Sequence, residues 1–310
     1  MKCLFYFMKL TIRLLLGLLF ILSGVLKLIG MDAFELYVFK MFPIHWTFAT
    51  LLARCIVTLE LGIGVFYLLG LSLFCVNRLT LAVVFCFTIW LGFQWMTGNT
   101  ENCHCFGELI QLSPAQSFFK NFILLFLILL LIRLKVKDKF VLPQRFTRLL
   151  FWIAILSVIL VPVIASPPDF LMANRYSITG VSRDLVLSDF DSIPWKNAEE
   201  SKITGNDAIV LFMSMKCVMC KKAAQKISIL NIRFGDSLPI YYIFFGDSSY
   251  LQAFWMESES TVFPHKIIPS DIFFKYTKNL PTIFFIKQGK VSKSVGYREL
   301  DEGEVRAWIK

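Results

Sequence analysis

Long apolar runs fill the first half of the chain and stop near residue 165. A helix that crosses a hydrocarbon core needs about 20 apolar residues. Five runs approach or exceed this length, and we expect the last two to extend at their ends. They are Leu10–Ile29, Thr47–Leu69, Leu79–Met96, Phe118–Ile132 and Leu149–Ile164. The pattern predicts a bundle of five transmembrane helices over residues 1–165.

Residues 207–310 follow a different pattern. "DAIVLFMSM" and "PIYYIFFG" are buried-strand runs, and between them apolar residues recur at helical spacing. "PTIFFIKQGKVSKSVGY" predicts two strands around a Gln-Gly turn, and "DEGEVRAWIK" a final helix. The order β-α-β-α-β-β-α indicates an α/β domain with a small sheet covered by helices. Residues 166–206 show no sustained period and are interpreted as a connector.

Composition and charge support a membrane protein. Of the 310 residues, 56% are hydrophobic and 17% charged, against about 25% charged in soluble domains. The net charge of +10 comes from Lys and Arg beside the apolar runs. Because the soluble half has no Arg-rich strip with interleaved aromatics, we exclude a nucleic-acid partner. The first run is longer than a signal-peptide core and no A-x-A site follows it, so we expect a retained helix.

The basic residues also predict an orientation. They lie in the N-terminal segment, at Arg78 and in the loop 133–148, which fall on one side only if the chain crosses five times. That side should be the cytoplasm. The loop "ENCHCFGEL" carries two Glu and no Lys or Arg, and we expect it outside together with residues 207–310. The predicted location is a bacterial inner membrane, with the soluble domain in the periplasm and the bilayer as a partner.

Cys217 and Cys220 form a CxxC pair between a predicted strand and a predicted helix. Free N–H groups and the dipole at a helix N-terminus stabilise a thiolate, and Lys216 adds a positive charge. Cys217 is therefore the expected attacking thiol, and Cys220 resolves the mixed disulfide. The alternatives are inert thiols or half of a zinc site. Zinc needs about four ligands, and the soluble half offers only His265 besides.

Downstream, "NLPTIFF" resembles the loop of thioredoxin-like domains in which a cis-proline faces the CxxC. The resemblance implies that Pro281 is cis, lies near Cys217 and borders the backbone that receives a partner's cysteine segment. It covers residues 207–310. One departure is Lys216, which replaces the aromatic residue common before the first cysteine of that family. The implied clients are extracytoplasmic proteins that contain cysteines.

The loop between the third and fourth runs holds a second pair, Cys103-His104-Cys105. A CxC disulfide closes a small strained ring, and strained, exposed bonds are the labile ones. His104 is a candidate for proton movement. Three alternatives remain: a soft-metal site for copper(I), a structural staple, or pairing of each cysteine elsewhere.

"RLLLGLLFILSGVLKLIGMDAFE", "LELGIGVFYLLG" and "NCHCFG" together resemble the MauE/DoxX membrane family. The resemblance implies a small helical bundle with a four-helix core. It also implies roles in disulfide formation or reduction outside the cytoplasm, in maturation of client proteins and in quinone-linked oxidation. Quinone is thus a candidate electron partner. No haem or flavin fingerprint occurs in the sequence, so we expect no covalently bound cofactor and no resident metal.

Charged residues inside the apolar runs mark functional or paired sites. From helix rise, Glu60 and Arg13 are expected at similar depth and hence as a pair. Arg54 and Lys27 lie nearer the outer face, where they would attract an acidic quinol or stabilise a thiolate. The alternative is that these charges only fix the packing of the helices.

Two cysteines inside the runs, Cys55 and Cys86, are either small apolar residues or a second, deeper relay pair. Taken together, the sequence predicts a membrane thiol–disulfide oxidoreductase whose soluble CxxC exchanges disulfides with the CxC loop. Two rivals remain. One is an assembly factor that only captures client cysteines, and the other is a copper-handling protein.

Overall fold

A computed structural model describes residues 2–98, 102–134, 144–169, 195–197 and 207–310. Within these residues the chain divides into two compact units. The first comprises Met1–Phe42 and Phe48–Pro168, and the second comprises Pro43–Thr47 and Asp169–Lys310. Most of the predicted connector 166–206 and of the basic loop 133–148 lies outside the described residues.

In its described part, the first unit is helical. Its helices are α1 (Lys2–Ile29), α2 (Met31–Met41), α3 (Trp46–Leu69), α4 (Leu73–Met96), α5 (Pro114–Arg133) and α6 (Gln144–Ala165). All except α2 are long and apolar enough to cross a membrane. The predicted five-span bundle is confirmed. All five helices begin before the predicted residue, and the last two also end one residue later. The chain is a membrane protein.

Helix α2 was not predicted. At 11 residues it is about 16 Å long and too short to span. It is nonetheless well packed, with Phe34, Leu36 and Phe39 buried. Glu35 on α2 accepts a hydrogen bond from Arg54 on α3 at 2.5 Å, so a buried ion pair joins the two helices. The structure therefore gives Arg54 a packing role.

The bundle core lies between α1, α3, α4 and α5 and includes Leu16, Tyr67, Val84 and Ile128. Helices α1 and α3 approach closely, because a Cβ at Gly64 would lie 2.9 Å from the Gly17 carbonyl oxygen. Small residues at such crossings allow van der Waals packing in lipid, where apolar burial alone does not drive association. The outward faces of the spans expose large apolar side chains, as lipid contact requires.

The second unit is a five-stranded sheet with helices. Its elements are β1 (Ala208–Ser214), α7 (Val218–Arg233), β2 (Ile240–Phe245), a 3-10 turn (Ser248–Tyr250), α8 (Leu251–Ser258), β3 (His265–Ile267), α9 (Ser270–Tyr276), β4 (Thr282–Lys287), β5 (Lys290–Val295) and α10 (Glu302–Ile309). The strand order is β3-β2-β1-β4-β5. Strand β1 pairs with β2 in parallel and with β4 antiparallel. The predicted α/β domain is confirmed, with β3 and α9 as additions.

The centre of this sheet positions the CxxC. Strand β1 is buried at every residue except its last, Ser214, and ends three residues before Cys217, the N-cap of α7. The Leu280–Pro281 bond directly before β4 is cis, as predicted. Gln288 and Gly289, both with positive φ, form the predicted turn between β4 and β5. The sheet order, the CxxC after β1 and the cis-proline before β4 are the arrangement that the resemblance to thioredoxin-like domains predicted.

Candidate functional site

Cys217 is the N-cap residue of α7 and lies at the surface end of β1. Its sulfur accepts a hydrogen bond from the Cys220 backbone N–H at 3.2 Å. Cys217 is half-buried, whereas Cys220 is fully buried one helical turn on. An accessible first thiol and a shielded second thiol are the arrangement that the CxxC motif predicted.

The two thiols differ in proton affinity. The pKa of Cys217 is lowered to about 6, first by the hydrogen bond from the Cys220 thiol and then by the backbone N–H groups of Cys220 and Met219. Burial, with the neighbouring Cys217, raises the pKa of Cys220 well above its usual range. Near neutral pH, Cys217 is thus the thiolate and Cys220 the thiol that holds the proton.

A lysine other than the expected one contributes positive charge near Cys217. Lys221, in the first turn of α7, lowers the pKa of Cys217. Lys216 is exposed, and its ammonium lies 3.9 Å from the centre of the Tyr250 ring. The lysine whose charge lowers the pKa of Cys217 is thus Lys221, in the first turn of α7, and that residue was not singled out in the sequence. The role predicted for Lys216 stays a prediction.

The second thiol pair lies in the loop between α4 and α5. Asn102 organises this loop, since its Oδ1 accepts from the backbone N–H groups of His104 at 3.1 Å and Leu112 at 3.2 Å. Cys103 and Cys105 are both buried. The sequence had suggested exposed thiols, because most residues of the loop are polar. The inward orientation of the two thiols is not visible in the sequence. His104 has a φ of 51°, and its ring centre lies 4.7 Å from that of Tyr37 on α2.

The loop that carries Cys103-His104-Cys105, called the CHC loop below, is fixed against the C-terminal end of α1. The carbonyl oxygen of Cys105 accepts from Lys27 Nζ at 2.6 Å and from Ser23 Oγ at 2.8 Å. A Cβ at Gly107, which has a φ of 67°, would lie 2.7 Å from the Leu26 carbonyl oxygen. The loop backbone thus lies directly on the helix, and only glycine permits this approach.

Lys27 also provides the partner of Glu60. Its ammonium lies 2.7 Å and 2.8 Å from the two carboxylate oxygens of Glu60, and Ser23 donates to Glu60 at 3.1 Å. Glu60 therefore faces the bundle interior with a basic partner on α1, as expected. Lys27, Ser23 and Glu60 form one hydrogen-bonded network that reaches the backbone of the CHC loop.

The expected partner of Glu60, Arg13, was wrong. Arg13 lies beside Gly70, where an added Cβ would be 2.6 Å from its Nη1, about 15 Å along α3 from Glu60. The prediction assumed that the outer ends of α1 and α3 are level. The contact between Lys27, near the C-terminal end of α1, and Glu60, midway along α3, shows instead that the N-terminal end of α3 extends beyond the C-terminal end of α1.

The thiols of the loop repeat the asymmetry of the soluble pair. Cys103 Sγ lies 2.8 Å from Ser117 Oγ, and the Cys105 backbone N–H donates to it at 3.4 Å. The pKa of Cys103 is lowered to about 6, chiefly by a hydrogen bond from the Cys105 thiol. That same bond, with burial, raises the pKa of Cys105. Ser117, which the sequence did not single out, projects from the first turns of α5 and shares a face with Lys120.

Nothing described in the structure supports a metal centre. No group of three or more His, Cys, Asp or Glu side chains gathers within the described ranges. His265 is buried in an aromatic cluster with Phe244 and Trp255. A zinc site, which needs about four ligands, therefore gains no support from the described part of the chain.

Comparison with known proteins agrees with this architecture. The model of the family described as "Methylamine utilisation protein MauE" matches residues 5–134. Over most of its length the chain is also homologous to Protein TlpB of Flavobacterium psychrophilum. The identity is 25% over 334 residues, and the match covers 91% of this chain and 89% of that protein.

Solved structures similar to the soluble domain include a thiol-disulfide isomerase from Corynebacterium glutamicum. That structure is 19% identical, with a TM-score of 0.28, and the match covers 43% of this chain and 94% of that chain. Another is a secreted disulfide oxidoreductase of Mycobacterium tuberculosis. It is 15% identical, with a TM-score of 0.29, and the match covers 35% of this chain and 84% of that chain.

Proposed function

We propose that this MauE-domain protein is a membrane thiol–disulfide oxidoreductase whose two cysteine pairs exchange disulfides with each other. The observation that carries the proposal is their common asymmetry. In each pair the first cysteine has a pKa of about 6, while the pKa of the second is raised. A stabilised thiolate attacks and leaves readily in thiol–disulfide exchange.

Exchange between the pairs is intramolecular in this proposal. A thiolate at Cys217 attacks a Cys103–Cys105 disulfide, which gives a mixed disulfide and releases one loop thiolate. Cys220 then attacks Cys217, so the soluble pair becomes oxidised and the loop pair reduced. The reverse sequence carries electrons the other way. Because both pairs belong to one chain, their effective concentration exceeds that of separate proteins when the two can meet.

The extracytoplasmic side is the compartment that suits this chemistry, since disulfides persist there and are reduced in the cytosol. The clients proposed for Cys217 are cysteine-containing proteins of that compartment. A quinone dissolved in the bilayer is the proposed electron partner of the membrane pair. The homologous TlpB shares both halves of the chain, which supports a function that needs the two pairs together.

Trapping tests the exchange. Replacing Cys220 with Ala removes the resolving thiol, so a mixed disulfide between Cys217 and Cys103 or Cys105 should accumulate. Non-reducing peptide mapping detects it, and its yield should not depend on protein concentration. The matched control Cys217→Ala, which keeps the buried thiol, should form none. If Cys217 is bonded only to foreign proteins and never to the loop, the exchange is refuted and the protein is an assembly factor that captures clients.

A further inference from the structure

The membrane unit contains a cavity of about 450 Å³ between α1, α3, α4 and α5. Its walls are mainly apolar and include Leu52, Ile56, Val83 and Leu124. The cavity reaches the CHC loop from the membrane side. Cys105 lines it and Cys103 does not, so the two sulfurs of the loop face different surroundings. A volume of this size falls within the range of small-molecule sites, about 300–1,000 Å³.

Hydrogen-bond donors gather at the same end of the cavity as Cys105. Lys120 and Asn121, adjacent on α5, both line it. Within the described residues, Lys120 has no ion-pair partner; its ammonium lies 4.4 Å from the Phe106 ring centre. Asn121 is buried at 5% exposure and, like Lys120, lines the cavity. Both side chains carry N–H donors, which suit a ligand with acceptor oxygens.

A second cavity provides a comparison. It has a similar volume of about 440 Å³ and lies between α3, α4 and α6, with a lining that includes Phe66, Leu79 and Phe151. No Lys, Asn or carboxylate lines it. Such a space suits a lipid tail. Both cavities have a thiol in the lining, Cys75 in this one. The cavity at Cys105 differs by its charged and amide side chains, Lys27, Glu60, Lys120 and Asn121, which suit an apolar molecule with carbonyl oxygens.

We propose that this cavity binds a lipid-soluble quinone and that Cys105 is the sulfur that reacts with it. The inference rests on the proposed function and adds the site and the division of roles within the CxC pair. Lys120 and Asn121 donate to a carbonyl oxygen, and the apolar walls hold the ring and tail. Ala82 and Cys86 on α4, with Cys55 on α3, also line the cavity.

The transfer moves two electrons and two protons. Cys105 Sγ forms a bond to a ring carbon while its proton passes to a ligand oxygen. Cys103, held as a thiolate by Ser117, then attacks Cys105 Sγ. The S–S bond forms as the S–C bond breaks, and the electron pair remains on the ligand. The proton that Cys103 gave up completes the quinol, so one dithiol becomes a disulfide as one quinone becomes a quinol. The reverse path uses Cys103 as the leaving thiolate.

The test uses the full-length chain in nanodiscs with Cys217, Cys220, Cys55 and Cys86 replaced by Ala and with decylubiquinone as the probe. Without the soluble pair, the result does not depend on exchange with Cys217. Mass-tagging of free thiols should show oxidation of Cys103 and Cys105 together with an equal amount of quinol. Replacing Lys120 with Met removes a charge-assisted hydrogen bond, so the affinity for decylubiquinone should fall by roughly tenfold or more.

A pair of bulky substitutions on α4 locates the site. Ala82→Phe fills the cavity and should abolish oxidation by decylubiquinone. Ile89→Phe, on the same helix but outside both cavities, should leave it unchanged. Diamide, which oxidises dithiols without a binding site, should oxidise the loop in both variants and so reports that each is folded. Equal behaviour of the two variants toward decylubiquinone would overturn the cavity assignment.

Alkylation separates the roles of the sulfurs. In Cys103→Ala, decylubiquinone should slow alkylation of Cys105 by N-ethylmaleimide. In Cys105→Ala, it should not slow alkylation of Cys103. Protection of Cys103 alone would reverse the assignment and contradict the proposal, as would loop thiols that diamide oxidises but decylubiquinone does not.

Discussion

At the scale of single residues, the reactivity of Cys217 depends on the hydrogen bond that the Cys220 thiol donates to it. The Cys220 thiol makes the largest contribution to its lowered pKa, ahead of the backbone N–H groups of the helix. Cys220 thus has two functions, since it resolves the mixed disulfide and stabilises the thiolate that forms it. The two functions can be separated by substitution, because serine keeps a hydrogen-bond donor at this position and alanine does not.

We therefore expect the alkylation rate of Cys217 to fall on acidification through about pH 6, because only the thiolate reacts. In Cys220→Ala the midpoint should move up toward the ordinary value of 9.0. In Cys220→Ser it should stay closer to 6. Iodoacetamide rates measured against pH, with Cys103 and Cys105 replaced by Ala, give the three midpoints. Identical midpoints in the alanine and serine variants would show that the thiol hydrogen bond does not set the pKa.

The Lys27–Glu60 pair is the second feature at this scale. Removing one member of a buried pair leaves an uncompensated charge and costs about 3–5 kcal/mol. Lys27→Met and Glu60→Gln should each lower the midpoint of thermal unfolding in detergent, and the double variant should be no worse than Lys27→Met alone. Arg13→Met serves as the control, because its effect should add to that of Glu60→Gln. Additive effects of Lys27 and Glu60 would contradict the pairing.

These residues also show what the sequence can reveal. The chemistry of Cys217 follows from its position between a strand and a helix, which is local information. The charge on Glu60 signalled a buried partner for the same reason. Which basic residue pairs with Glu60 depends on how α1 and α3 are aligned along their axes. A local sequence pattern does not contain this alignment. The sequence therefore predicted that Glu60 pairs with a basic residue of α1, but it gave Arg13 instead of Lys27.

At the scale of elements, we expect disulfide exchange at the CHC loop to depend on the contact of the loop with α1. Gly107→Ala should displace the loop, because its Cβ would meet the Leu26 carbonyl at 2.7 Å. Gly98 is a matched control, with a φ of 77° but nothing within 4 Å of an added Cβ. Gly98→Ala should show only the backbone cost, about 1–2 kcal/mol. Exchange between the loop and Cys217, measured by mixed-disulfide yield, should fall in the first variant and persist in the second.

Helix α5 supplies two serines with different roles. Ser117 contacts the Cys103 sulfur, so Ser117→Ala should raise the pKa of Cys103 above about 6. Ser113 is the N-cap and forms a capping box with Gln116. Ser113→Ala should cost about 1 kcal/mol of stability without moving that pKa. Alkylation of Cys103 against pH and thermal unfolding, measured on both variants, separate the two roles; a shift of the same size in both would contradict them.

Long and short elements differed in how well the sequence predicted them. The spans and the central strands have strong apolar patterns over many residues, so they were found. Helix α2 has 11 residues and two acidic ones, and its burial comes from packing rather than from a long apolar run. Strand β3 has three residues, pairs with β2 and forms a single bridge from His265 to Lys196. Helix α9 has seven. Tertiary contacts stabilise these elements, and a pattern of local residues does not report such contacts.

At the scale of the whole molecule, the number of spans determines which side each end of the chain occupies. Among the residues that the structure describes, five helices are long and apolar enough to cross, and an odd number of crossings puts the two ends on opposite sides. The basic residues of the N-terminal segment and of the loop 133–148 favour the cytoplasm. The proposed orientation thus puts residues 207–310, with their CxxC, in the compartment where disulfides persist.

Reporter fusions test this orientation. Alkaline phosphatase, which needs disulfides for activity, fused after Lys310 should be active, because that end lies outside. The matched fusion after Leu134 ends the chain after four spans and should be inactive, because the loop that follows α5 lies inside. A cytoplasmic reporter such as β-galactosidase should give the opposite pattern at both points. Active phosphatase at Leu134 together with inactive phosphatase at Lys310 would invert the topology, place the CxxC in the reducing cytosol and remove the basis for exchange with extracytoplasmic clients.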